Sequence, residues 1–183
     1  MERRFFKNAP VETREEAENG APRLHCRFAV FNESYDLWDD AYERIDPHAF
    51  DETVGDDVRA LWNHDTNIVL GRTTSGTLRL GVMAEGLDGD IDINPEDRAA
   101  LDGAARVKRR DVTGCSIGFD ILEEHIERRS DGKTGFVIDK IKLYEVSICT
   151  FPAYETTYAE SRSVEDMRLK AWKYNMKERL KNA

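Results

Sequence analysis

Apolar and polar positions alternate along much of the chain, and the alternation predicts a β-rich protein. In residues 24–31, Leu24, Cys26, Phe28 and Val30 fall on one side of an extended segment. Residues 58–62, 67–72 and 77–82 continue the pattern, with Leu78, Leu80 and Val82 on one face. The last two segments read as a hairpin around Thr74-Ser75-Gly76. Further strands are predicted at 86–93, 112–122, 135–138 and 141–151, and a short one before a turn or helical start at Pro47. Residues 32–40 read as a loop with Trp38 folded back, and residues 10–22 as a loop or a turn between short strands.

Helical spacing stands out twice. Asn94 can cap a helix with Pro95 at its first position, Glu96 and Asp97 in its first turn, and Lys108, Arg109 and Arg110 in its last. Ala100, Leu101, Ala104, Ala105 and Val107 form its apolar side, and Gly103 weakens it modestly. At the end of the chain, Val164, Met167, Leu169 or Trp172, Met176 and Leu180 give roughly one stripe on a terminal helix. Seven or more short strands with only two helices argue against βαβ layering. The expected fold is mainly β with helices: a closed or partly open antiparallel barrel of about seven strands surrounded by a few helices. The expected division is a body of residues 1–162 and a basic amphipathic tail of residues 163–183.

Charge narrows the function classes. The 183 residues carry a net charge of −9, yet residues 161–183 hold seven bases and three acids. An acidic body with a basic tail lacks the broad basic footprint of a nucleic-acid binder. The tail reads either as a solvated helix packed on the body or as a segment that docks on a partner helix or an acidic surface. No apolar run is long enough to span a membrane, and the start of the chain has no apolar core of a secretory signal. Cys26, Cys115 and Cys149 are widely spaced in apolar runs, which suits buried thiols in a reducing compartment. No histidine pair has metal-ligand spacing, so no zinc site is expected.

Two segments carry candidate chemistry. In Gly114-Cys115-Ser116-Ile117-Gly118-Phe119, two glycines leave the face of Ser116 open to a substrate backbone. The same glycines are equally explained by a bend or bulge in a strand. A strand rather than a helix is expected here, so the hydrolase-elbow argument does not apply. His64, between Asn63 and Asp65, is the best candidate base, although a surface turn histidine has the same pattern. His25 and His48 are weaker candidates, and His125 lies in a charged, solvated run. Glu145 interrupts an apolar strand with the parity of Leu143 and Ser147. If it points inward it must be paired, by a catalytic partner or by a structural salt bridge.

The chain resembles the prohead (capsid maturation) proteases of tailed bacteriophages with the HK97-type capsid, which are distantly similar to herpesvirus assembly proteases. The resemblance is carried in order by residues 28–32 (FAVFN), 43–50 (ERIDPHAF), 58–65 (VRALWNHD), 70–80 (LGRTTSGTLRL), 112–119 (VTGCSIGF) and 145–154 (EVSICTFPAY). It covers about residues 1–162, and its specificity lies in order and spacing rather than in any one stretch. One departure is Cys115, where many relatives carry methionine or another apolar residue; both are apolar fillers.

The resemblance implies a serine endopeptidase with Ser116 as nucleophile and His64 as base. It points to Glu145 as the acidic orienter, with Asp65 as the runner-up; against Asp65, adjacent side chains in an extended segment point apart. Arg109 and Arg110 are a speculative oxyanion placement, with helix-end charge complement as the competing explanation. It further implies action inside the procapsid in the host cytoplasm, with the major capsid protein and a scaffolding protein or segment as partners, and it implies no metal or organic cofactor. Self-cleavage and a homodimer belong to the same set of expectations. The basic tail then also reads as an encapsidation segment. The rival expectation is a non-catalytic capsid- or scaffold-associated module that keeps the fold.

Overall fold

The structure is a computed structural model, and it describes residues 1–6, 11–14, 22–31, 33–151 and 164–181. The described strands form two sheets. The smaller is antiparallel throughout, in the order β2 (Val11–Arg14), β3 (Arg23–Val30), β9 (Gly86–Asp92), β8 (Leu78–Val82). The larger runs β1 (Glu2–Phe6), β10 (Gly114–Arg128), β11 (Thr134–Cys149), β5 (Ala41–Ile45), β4 (Tyr35–Trp38). Its strand β11 takes two parallel partners, β5 along its first half and β6 (Arg59–Trp62) along its second. β7 (Asp65–Arg72) then pairs with β6.

The fold is mainly β with two α-helices, as expected, but the described strands make two sheets rather than a closed barrel. Alternation reveals which side chains turn inward, but edge pairing is set by partners far away in sequence. The long strand β11 spends its free edge on two parallel crossovers, which an antiparallel barrel has no place for. The core lies between the sheets. Leu24, Cys26 and Phe28 of β3 and Leu87 and Ile91 of β9 meet Cys115, Ile117 and Phe119 of β10 with Val146 and Ile148 of β11. Each such large side chain, fully buried, contributes about 1.5–3 kcal/mol. All three cysteines are buried and none is in a disulfide. Cys26 and Cys115 touch across the two sheets, and burial pushes the Cys115 thiol well up from its ordinary value.

Other expectations need correction. Residues 35–38 form strand β4 rather than loop, pairing with β5. β7 and β8 are not a hairpin: Leu78 pairs with Ile91 in the other sheet, so the chain crosses between sheets at residues 73–77. Hydroxyls close that crossing, with Thr77 Oγ1 accepting from Arg72 N at 3.0 Å. The central helix α1 (Arg98–Lys108) is capped by Asp97, which accepts from Ala100 N at 3.1 Å, while Asn94 caps only the preceding turn through Glu96 N. Gly103 has a packing reason: the Trp62 indole lies 3.0 Å from where its Cβ would be. The terminal helix α2 (Val164–Lys181) has two apolar faces rather than one. Met167 and Ala171 are buried with Ala41 and Phe136, and Leu169, Trp172, Met176 and Leu180 are exposed on the opposite side. Among the described residues, no helix is long and apolar enough to cross a membrane.

Candidate functional site

The site grows from the β10–β11 ladder. Cys115, Ile117 and Phe119 face the core, so Ser116 and Gly118 face the other way. Ser116 lies directly opposite Ser147, and Gly118 opposite Glu145. Directly opposed residues share a face with their Cβ atoms about 4.5–5.5 Å apart. One polar face is thus assembled from Ser116, Gly118, Glu145 and Ser147.

A bulge sets this face. The register slips between Gly118 and Phe119, which leaves Tyr144 extra on β11. Leu143 therefore stays with Phe119 in the core while Glu145 turns to the Ser147 side. The parity shared by Leu143 and Glu145 in the sequence does not place them on one face, because the bulge resets the alternation. Gly118 then has a specific reason to be glycine. A Cβ there would collide with Glu145 Oε1, so only a bare backbone lets the carboxylate lie across β10.

His64 arrives from the β6–β7 connection. Trp62 pairs with Asp65, and the two residues between them, Asn63 and His64, have φ of 53° and 60°. Positive φ at both central residues is the type I′ hairpin turn, which matches strand twist. Asparagine tolerates this conformation; histidine does so at a cost of about 1–3 kcal/mol. Asn63 anchors the turn to the end of β11. Its Nδ2 donates to Thr150 Oγ1 at 3.0 Å, and its Oδ1 accepts from Thr150 N at 2.8 Å. The turn thereby delivers His64 onto the polar face.

There, His64 Nδ1 meets Glu145 Oε1 at 2.5 Å, with the two side chains only 7% and 5% exposed. Ser147 Oγ donates to the other carboxylate oxygen, Glu145 Oε2, at 2.6 Å, and accepts from His64 N at 3.2 Å. A proton held on Nδ1 by the carboxylate leaves Nε2, also buried, as the basic nitrogen of the ring. Ser116, opposite Ser147 on the same face of the ladder, is wholly buried.

The other residues singled out in the sequence lie elsewhere. Asp65 is exposed, and its Oδ1 accepts from Asn67 N and Nδ2, both at 2.8 Å. Arg109 is exposed and pairs with Asp111 at 3.3 Å. Arg110 closes α1 in a left-handed conformation (φ 64°), its N–H on Val107 O and that of Asp111 on Arg106 O. His25 bonds Asp90 on the outer face of the smaller sheet, and His48 bonds Asp51 next to its own turn. His125 bonds Asp139 in solvent. The sequence marked Gly118 as a glycine flanking Ser116, and Asn63 and Ser147 as neighbours of the candidates, but gave no sign of the carboxylate crossing at Gly118, the Asn63 anchor or the Ser147 hydrogen bonds. The signal for Ser147 was its parity with Glu145. Among the described residues no cluster of three or more His, Cys, Asp or Glu side chains is placed to hold a metal ion.

No curated protein and no solved structure matches the chain. A family model described as caudovirus prohead serine protease matches residues 7–170. That span holds His64, Ser116 and Glu145 and every strand from β2 to β11. A buried serine on the same strand face as a buried histidine–carboxylate pair fits a serine protease, and with nearly the whole chain matched, this chain belongs to the caudovirus prohead serine protease family.

Proposed function

We propose that this chain is a serine endopeptidase that cleaves a scaffolding segment or protein, and itself, inside the procapsid during capsid maturation. Family membership supports the reaction class and the general setting of capsid and scaffold. The observation that carries the residue roles is the buried His64–Glu145 pair on the same face as Ser116.

In this reading Ser116 Oγ attacks the peptide carbonyl carbon while His64 Nε2 takes its proton. The tetrahedral intermediate collapses as His64 protonates the leaving amine, leaving an acyl-enzyme on Ser116. Water, deprotonated by His64, then attacks the ester, and the proton returns to Ser116 as the acid product departs. Glu145 stays ionised, holds the Nδ1 tautomer and offsets the imidazolium charge. Burial of all three side chains corresponds to a resting state that must open to admit a peptide, which suits a protease whose activity is delayed until enclosure.

Intact mass tests the proposal. Wild type and Ser116→Ala are each co-expressed with the major capsid protein and followed over time. Defined cuts with wild type alone are expected. Cutting by both proteins would remove Ser116 from the nucleophile role, and cutting by neither would favour a non-catalytic capsid-associated module.

A further inference from the structure

Ser147 has a role that the nucleophile–base–acid scheme does not include. We propose that it is a positioning residue that locks Glu145 against His64 and holds the strained His64 backbone in place; this rests on the roles assigned above to His64 and Glu145. Its side chain is wholly buried. Its hydroxyl is used in both directions, donating to Glu145 Oε2 at 2.6 Å and accepting from His64 N at 3.2 Å. One small group therefore ties β11, which carries both Ser147 and Glu145, to the Asn63-His64 turn through the His64 amide.

Chemistry explains why a hydroxyl is needed. A buried carboxylate with one oxygen on His64 requires a donor for the other, or it rotates to find one. The donor must bring no charge: an Arg or Lys in this place would draw the carboxylate's charge away from the imidazolium that forms during the reaction. The same atom must also accept the N–H of a residue in the left-handed region. Serine and threonine meet both demands, whereas alanine meets neither and cysteine meets both weakly. A serine with a purely structural part in the strand would affect stability and leave the His64–Glu145 hydrogen bond as it is.

The test uses the full chain with Ser147→Ala, Ser147→Thr and Ser147→Cys, each checked for folding by thermal unfolding. The first readout is the downfield proton resonance of the His64 Nδ1–H, assigned by its absence in His64→Gln. It should vanish or broaden into exchange with water in Ser147→Ala and persist in Ser147→Thr. The second readout is kcat for a peptide spanning a mapped cut. It should fall on the order of ten- to a hundred-fold in Ser147→Ala with KM little changed, and recover in Ser147→Thr. If Ser147→Ala does not fold, Ser147→Cys keeps the volume with a poor donor and should show the same two losses. A folded Ala or Cys variant that retains the resonance and wild-type kcat would overturn the proposal. The resonance is read without any cleavage, so a failure of the protease assignment leaves this arm intact.

Discussion

Two histidine–carboxylate pairs sit on the β10–β11 ribbon, and they could hardly differ more in circumstance. At the outer end His125 Nδ1 meets Asp139 Oδ2 at 2.7 Å, with side chains 51% and 33% exposed. At the inner end His64 Nδ1 meets Glu145 Oε1 at 2.5 Å in near-complete burial. The atoms in contact are the same kinds, so the hydrogen bond alone does not distinguish a reactive pair. Water screens the outer pair and leaves it worth about 0–1 kcal/mol. The inner pair keeps its field because Gly118 admits the carboxylate, Ser147 satisfies its second oxygen, and a strained turn brings the histidine from another strand. Strain and burial at one spot, with neither at the other, are the physical marks of a built site.

The sharpest way to break the comparison is to neutralise each carboxylate. Glu145→Gln should lower the cleavage rate about a thousand-fold or more, because the amide offers a donor where the Nδ1 proton points and no charge for the imidazolium. Asp139→Asn should leave the rate within two-fold. Rates measured on the same capsid substrate check both, and equal losses would erase the distinction between the two ends.

A smaller effect is expected from Gly118→Ala, whose Cβ collides with Glu145 Oε1. The carboxylate must shift off His64, lowering kcat about a hundred-fold and stability by about 1–3 kcal/mol. Chemical denaturation alongside kinetics separates the two effects. Asn63→Ala removes both bonds to Thr150 and loosens the turn, so about 1–2 kcal/mol of stability should go, with a rate loss smaller than that of Gly118→Ala. Asn63→Gly, which favours the same turn backbone, should recover part of the stability but not the anchoring to Thr150.

The last effect belongs to the outer end, touches stability and not the cleavage rate, and depends on pH. Arg44, through paired hydrogen bonds at 3.0 Å, and Tyr42 hold the Glu127 carboxyl down to about 2. A carboxylate depressed on folding adds stability that is present above its ordinary value near 4.3 and is lost as pH falls toward 2. Glu127→Gln should therefore cost about 2 kcal/mol near neutrality. That difference should shrink across the window from about 4.3 to 2, as read from denaturation midpoints at each pH. A difference unchanged by acid would show that the pair acts through packing rather than charge.

Ser116, His64 and Glu145 could be singled out in the sequence because motifs name residue types in order, and the structure brings His64 and Glu145 into contact on the face that carries Ser116. The strands around them were legible for the same local reason, as in the alternation of Leu24, Cys26 and Phe28. What stayed hidden was long-range. The bulge at Tyr144 depends on how β10 and β11 slide against each other, so parity placed Glu145 with Leu143, which the structure puts on the opposite face. The parting of β7 and β8 depends on Leu78 finding Ile91. Helix α2 shows the same limit. Its stripe was visible, yet the docked side is the modest pair Met167 and Ala171, and the larger Leu169, Trp172, Met176 and Leu180 face outward. Hydrophobicity alone did not tell which side the body would accept.

Activation of Ser116 by the buried His64–Glu145 pair is the step on which the proposed roles depend. The most direct measurement is fluorophosphonate labelling of the chain co-expressed with its capsid protein, with the adduct located by peptide mass. A single adduct on Ser116 is expected in wild type and none in His64→Ala. An adduct on another serine, equal labelling of Ser116 without His64, or no labelling of the wild type would contradict that step.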